Sequence, residues 1–171
     1  MSAGRFIYLT TFGTEKRLLL AVAKNLREVL GFDVRFSHLL LPPSVGYDPR
    51  RKQHRGSALL EHLSKVYYPD MLKFLALLPF DLYEEGFNFI FGLAKLGGSH
   101  ALVSTYRLWS GEERLFFERV CKEVNHELGH TFGLMHCKTP LCVMNFSNTL
   151  QEVDAKSRFF CERCNKILPK P

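Results

Sequence analysis

The chain has 171 residues and a mass of 19.7 kDa, enough to bury one sizeable core. A composition that is 46% hydrophobic and 23% charged excludes a disordered polar chain, and no apolar run reaches the roughly eighteen residues of a membrane helix. The formal charge is +6, but the most basic stretch, PRRKQHR at 49–55, has no interleaved aromatics, so a nucleic-acid platform is not supported.

Residues 5–12 (RFIYLTTF) are β-rich and apolar and form the first predicted strand. No apolar h-region with a cleavage site accompanies them, and a cytoplasmic location is the expectation. TEKRLLLAVAKNLREVLG (14–31) has helical spacing and ends at Gly31, a natural stop. FDVRFSHLLL (32–41) reads as a second strand closed by Pro42 and Pro43. The basic run that follows either attracts an anion or is a solvated loop leading into a helix over 56–67. LKFLALLPF (72–80) is short, bounded and apolar, as a buried strand is. Residues 87–108 divide into two strands around Gly97 and Gly98, a two-residue hairpin turn. Strand alternating with helix and then a hairpin predicts an α/β (α+β mixed) fold with helices packed on a mixed sheet.

Next comes a long helix, with Ser110 and Glu113 at capping-box spacing just before it. Phe117, Val120, Cys121, Val124, Leu128 and Thr131 share one stripe, the core face, where Cys121 is a packed thiol. His126 and His130 lie about 180° and about 220° from its centre, so they face a cleft or solvent. They belong to HELGHTFGLMH at 126–136, and histidines at i and i+4 are spaced to hold one Zn2+. Glu127 lies about 100° round from His126, placed to act as general base on a water that zinc activates. Gly129 keeps the cleft side free of bulk, and Gly133 can take positive φ and turn the chain back. His136 then supplies the third ligand, and three ligands with an open position make a catalytic site. Met144 is either core filler or an apolar floor beneath the histidines.

Cys137, Cys142, Cys161 and Cys164 form two knuckle-like pairs bracketing Met144. Four thiolates can close a structural zinc shell, and this short segment has little hydrophobic mass of its own. Unrelated buried thiols or a redox CxxC are the other readings. The expected organisation is an N-terminal subdomain over 1–133 and a zinc-stapled C-terminal subdomain over 134–171.

HELGHTFGLMHCKTPLCVMNF together with FCERCNKIL resembles the archaemetzincins, metzincin-type zinc peptidases whose third histidine is followed directly by a four-cysteine zinc site. The diagnostic stretch is His126 to Cys164, and upstream FNFIFGLA and ALVSTYRL are similar too. The resemblance implies a catalytic zinc on His126, His130 and His136, Glu127 as general base, Met144 as the Met-turn and a second zinc on Cys137, Cys142, Cys161 and Cys164. That makes two Zn2+ per chain. It also implies a twisted mixed sheet over the active-site helix, whose antiparallel edge strand, Phe87 to Leu96, either pairs with an extended peptide substrate or only packs. No tyrosine follows His136, so the oxyanion stabiliser is unassigned.

The expected function is hydrolysis of peptide bonds by a monomeric zinc metallopeptidase. The rival is a zinc-stabilised module that binds a peptide or partner without turnover, against which the intact Glu127 argues.

Overall fold

The structure, a computed structural model, describes residues 5–39, 41–42 and 44–171. In chain order the first elements are β1 (Phe6–Thr11), α1 (Lys16–Leu30), β2 (Val34–Ser37), β3 (Tyr47–Asp48), β4 (Gln53–Arg55) and α2 (Gly56–Leu63). Then come β5 (Met71–Leu78), β6 (Leu82–Tyr83), β7 (Gly92–Ala94), β8 (His100–Ser104), α3 (Glu113–Thr131), α4 (Leu150–Ala155) and α5 (Glu162–Ile167).

The main sheet has the order β2-β1-β5-β8-β7. All its pairs are parallel except β7 with β8, so a mixed sheet with an antiparallel edge strand is present. That strand covers only Gly92–Ala94 of the expected Phe87 to Leu96, because Phe87, Asn88 and Ile90 bond instead to Arg51, Gln53 and Leu82. Strand alternation divides its side chains between two cores. Ile7, Leu9, Leu75, Leu77, Ala101 and Val103 point to the face covered by α1, α3 and the C-terminal segment. Tyr8, Phe74, Ala76, Leu78 and Leu102 point to the opposite face, against α2. Each fully buried Leu or Phe contributes on the order of 2 kcal/mol of transfer free energy, so the two-sided apolar strands fix the sheet centrally.

Several local expectations change. Gly31 ends α1 in the left-handed region, with φ of 79°, as expected. The second strand covers only Val34–Ser37; Leu40 and Pro43 lie outside the described residues. The second helix stops at Leu63, short of residue 67. The β7–β8 turn is not a two-residue hairpin on Gly97 and Gly98. Ala94 pairs with Ala101, and the connection contains a turn in which Gly98 N–H donates to Lys95 O at 2.9 Å.

The basic run is also not a plain solvated loop. It supplies β4 of a small sheet ordered β3-β4-β6. The Arg51 guanidinium lies 4.1 Å from the Tyr83 ring centre and donates to Phe87 O, and Arg55 pairs with Glu84 at 3.1 Å. The strand before β7 is thus braced by the residues whose charge suggested an anion site.

Candidate active site

α3 carries the candidate chemistry, and its N-terminus corrects the capping expectation. No side chain caps it, and Ser110 Oγ accepts a bond from Arg119 Nη1 at 2.7 Å instead. The capping box forms later, between Thr149 and Glu152 at the start of α4. Only the first turns of α3 expose a polar face, at Arg114 and Glu118. From Arg119 to Gly129 every residue is buried, because the C-terminal segment covers the side opposite the sheet. Charged residues there have partners: Arg119 forks onto Asp154 with two bonds of 2.7 Å, and Lys122 Nζ donates to Val153 O at 3.1 Å.

Gly133, with φ of 92°, reverses the chain after α3 and brings His136 back toward the helix. The His126, His130 and His136 ring centres are 4.7, 5.0 and 5.3 Å apart, and one nitrogen from each falls within 4.8 Å of the others. His126 Nδ1 lies 2.8 Å from Val143 O and His130 Nδ1 lies 2.7 Å from Leu134 O. A carbonyl only accepts, so both Nδ1 atoms carry the proton and both Nε2 atoms present a lone pair. Those Nε2 atoms are 3.1 Å apart. Burial lowers all three histidines below their ordinary value, His126 most, and the Lys156 charge adds to this. Neutral imidazoles with converging lone pairs repel unless a cation sits among them. The donor set therefore fits a zinc ion.

Glu127 is buried between α3 and the edge strand. A Cβ on Gly92 would lie 2.8 Å from Glu127 Cγ and 2.9 Å from its Oε1. Burial pushes its carboxyl well above the usual range, and the Glu123 charge pushes it further. The three histidines, Glu127, Gly92, Leu93 and Ala94 line one cleft of about 420 Å³, whose other walls include Phe89, Phe91 and Phe146.

Met144 is fully buried and packs against α3. A Cβ on Gly129 would fall closer to its sulfur than the 3.0 Å that real Cβ atoms keep. Gly129 therefore admits the methionine, and does not serve to clear the cleft as expected. Met144 O accepts from Cys137 N–H at 3.0 Å, which ties the residue after His136 to this turn.

The four cysteine sulfurs lie within 4.8 Å of one another. Cys137 and Cys161 are 3.8 Å apart and Cys142 and Cys164 3.9 Å, far beyond the roughly 2.05 Å of a disulfide. Burial pushes Cys137 up, but bonds from Thr139 and from Arg163 Nη2 at 3.3 Å bring it down to about 6. A ready thiolate among four converging sulfurs fits a tetrahedral metal site. Cys121 stands apart, buried and pushed up to about 12 by that burial, as a packed thiol should be.

Three features escaped the sequence: Gly92 beside Glu127, the bond from Gly97 N–H to His130 O at 2.9 Å, and a buried Lys156. The first two are contacts across more than thirty residues, with no local signal. Lys156 lies in a polar stretch that reads as solvent-exposed.

Comparison with known proteins bears on the same residues. The model of peptidase family M54 matches residues 50–170. An archaemetzincin of Archaeoglobus fulgidus is 35% identical over 162 residues, 92% of this chain and 95% of the relative. The crystal structure of an archaemetzincin from Methanopyrus kandleri superposes with a TM-score of 0.89 at 38% identity, covering 98% of this chain and 94% of that one. A zinc-dependent peptidase from Methanocorpusculum labreanum superposes with a TM-score of 0.86 at 30% identity, covering 95% of this chain and 100% of that one.

Proposed function

Because the chain belongs to peptidase family M54, the archaemetzincins, it is a zinc metallopeptidase, and we propose that His126, His130 and His136 hold its catalytic zinc with Glu127 as general base. The observation that carries this is the pair of unprotonated Nε2 atoms 3.1 Å apart, each fixed by an Nδ1–H bond to a backbone carbonyl. Zinc held there supplies a Lewis acid that lowers the pKa of water and polarises a carbonyl.

Glu127 does the proton work. Burial and the Glu123 charge raise its carboxyl well above the usual range, and a cation held by the histidines would act in the opposite direction, favouring the carboxylate that a base must be. Its carboxylate takes a proton from the attacking water and passes it to the amine nitrogen that leaves. β7 orients the peptide. It ends its sheet, and Ser104 N–H donates to Phe91 O at 2.8 Å. Antiparallel alternation then turns the N–H and C=O of Gly92 and Ala94 away from β8, free to pair with an extended substrate within the stretch Phe87 to Leu96. Cys137, Cys142, Cys161 and Cys164 hold a second zinc that staples the chain after Met144.

The test is a metal count. Wild type should hold two zinc ions per chain, His136→Ala one, and Cys161→Ser one, with the loss at a different site in each. A His136→Ala variant that keeps both ions contradicts the ligand assignment.

A further inference from the structure

We infer that the buried pair Glu123–Lys156 is a positioning device that sets the Met-turn, and through it His126, for metal binding. The inference rests on the histidine cluster being the metal site. Its own content is the role of two residues that are neither ligands nor base.

Local sequence puts Lys156 in place. The Thr149/Glu152 capping box starts α4, and the fork of Arg119 onto Asp154 anchors α4 to α3. Lys156 follows at the end of α4, in extended backbone, with its side chain 1% exposed. Its Nζ meets Oε1 of Glu123 at 3.0 Å, off the hydrogen-bonding direction, and donates to Asn145 O at 3.2 Å. Nζ also lies 3.5 Å from His126 Nδ1, whose proton already goes to Val143 O, so the two are neighbours and not a bonded pair.

These contacts close a circuit. Three successive carbonyls of the Met-turn are each claimed: Val143 O by His126, Met144 O by Cys137 N–H and Asn145 O by Lys156. Glu123 and His126 stand on the same helix, so the path from Glu123 through Lys156, Asn145 and Val143 returns to α3 at His126. Other bonds hold the turn as well, Asn145 N–H to Cys142 O and Asn145 Nδ2 to Cys137 O among them, so releasing Asn145 O shifts it only locally, and with it the Val143 acceptor that fixes the His126 ring. Stability does not account for the pair. Taking two charges out of water offsets most of their attraction, and apolar replacements of like volume often fold as well or better. Orientation of a metal ligand accounts for it, and losing such an outer contact typically lowers metal affinity about 10–100-fold.

The experiment titrates Co2+ into the full chain against a competing chelator. The three-histidine site is followed by those d–d bands that His136→Ala removes, and the cysteine site by its thiolate charge-transfer bands. Glu123→Gln/Lys156→Met should bind cobalt at the histidines about 10–100-fold more weakly, with altered d–d bands. Its cysteine-site bands should be unchanged and its melting temperature near that of wild type. Glu123→Gln alone keeps the volume but leaves the Lys156 charge buried without its counter-charge, so it should melt lower than wild type as well as lose several-fold in cobalt affinity. Wild-type affinity and bands in both variants overturn the inference. If His136→Ala leaves the d–d bands of an otherwise wild-type chain untouched, the histidine assignment itself fails and takes the inference with it.

Discussion

Gly129 and Met144 are packed so closely that a methyl group on Gly129 would overlap the methionine sulfur and come within 3.0 Å of Phe160 Cε1. A glycine inside a helix costs about 1 kcal/mol relative to alanine, and here that cost is offset by bringing Met144 against α3. Gly129→Ala gains the propensity but overpacks a fully buried contact, a penalty of about 1–3 kcal/mol. The net expectation is a lower melting temperature and a weaker hold on the histidine-site metal. Thermal melts with and without added zinc measure both.

Gly92 and Glu127 are similarly apposed across the cleft. A Cβ at 92 would meet Leu102 O at 2.8 Å on one side and Glu127 on the other, and the backbone carbonyl cannot yield cheaply. Gly92→Ala should therefore displace Glu127. A shift of about 1 Å in a catalytic group can cost about a hundredfold in rate. The expected result is a kcat/KM lower by about that factor with two zinc ions retained, read by a peptide assay beside metal analysis.

The outward backbone groups of β7 can be tested by proline. Ala94→Pro removes an N–H that points away from β8, which an edge strand tolerates. Leu93→Pro removes one that faces Leu102 in the ladder. If the edge binds substrate, Ala94→Pro should raise KM with little change in melting temperature, whereas Leu93→Pro should lower both stability and turnover.

Much of this was legible in the sequence. The helices α1 and α3 announce themselves by period, and β1 and β5 by short, bounded apolar runs that burial on both faces imposes. The histidine cluster was legible because two nitrogen donors one helical turn apart share a face at a fixed spacing. Pairwise tertiary contacts were not. The pattern Ser110-x-x-Glu113 and the pattern Thr149-x-x-Glu152 are equivalent on paper, yet only the second caps a helix. Arg119 claims Ser110 Oγ in the folded chain, and nothing local says so. Likewise the α3 stripe gave the correct core face but not the covering of the other face by α4 and Lys156.

That covering carries a pH signature. The Arg119 fork holds the Asp154 carboxyl below its ordinary 3.8, so the folded chain releases this proton more readily than the unfolded one. The resulting stabilisation is full above pH 3.8 and is lost as pH falls through the lower, folded value. With the Asp154 side chain 34% exposed, solvent screening limits it to about 1–2 kcal/mol. Denaturant melts of wild type and Asp154→Asn should differ by about this amount near pH 6 and converge as pH drops below 3.8.

The central claim is that this cleft cuts peptides with Glu127 as base, and the most direct measurement is digestion of a diverse peptide mixture read by mass spectrometry. Zinc-loaded wild type and Glu127→Ala are compared at equal metal content. Wild type should yield new termini, with a preference imposed by the aromatic cleft, and Glu127→Ala should yield none. Equal cleavage by both proteins would contradict the assignment of the base. No cleavage by a wild type that holds both zinc ions would contradict the account of the cleft as an open peptide site.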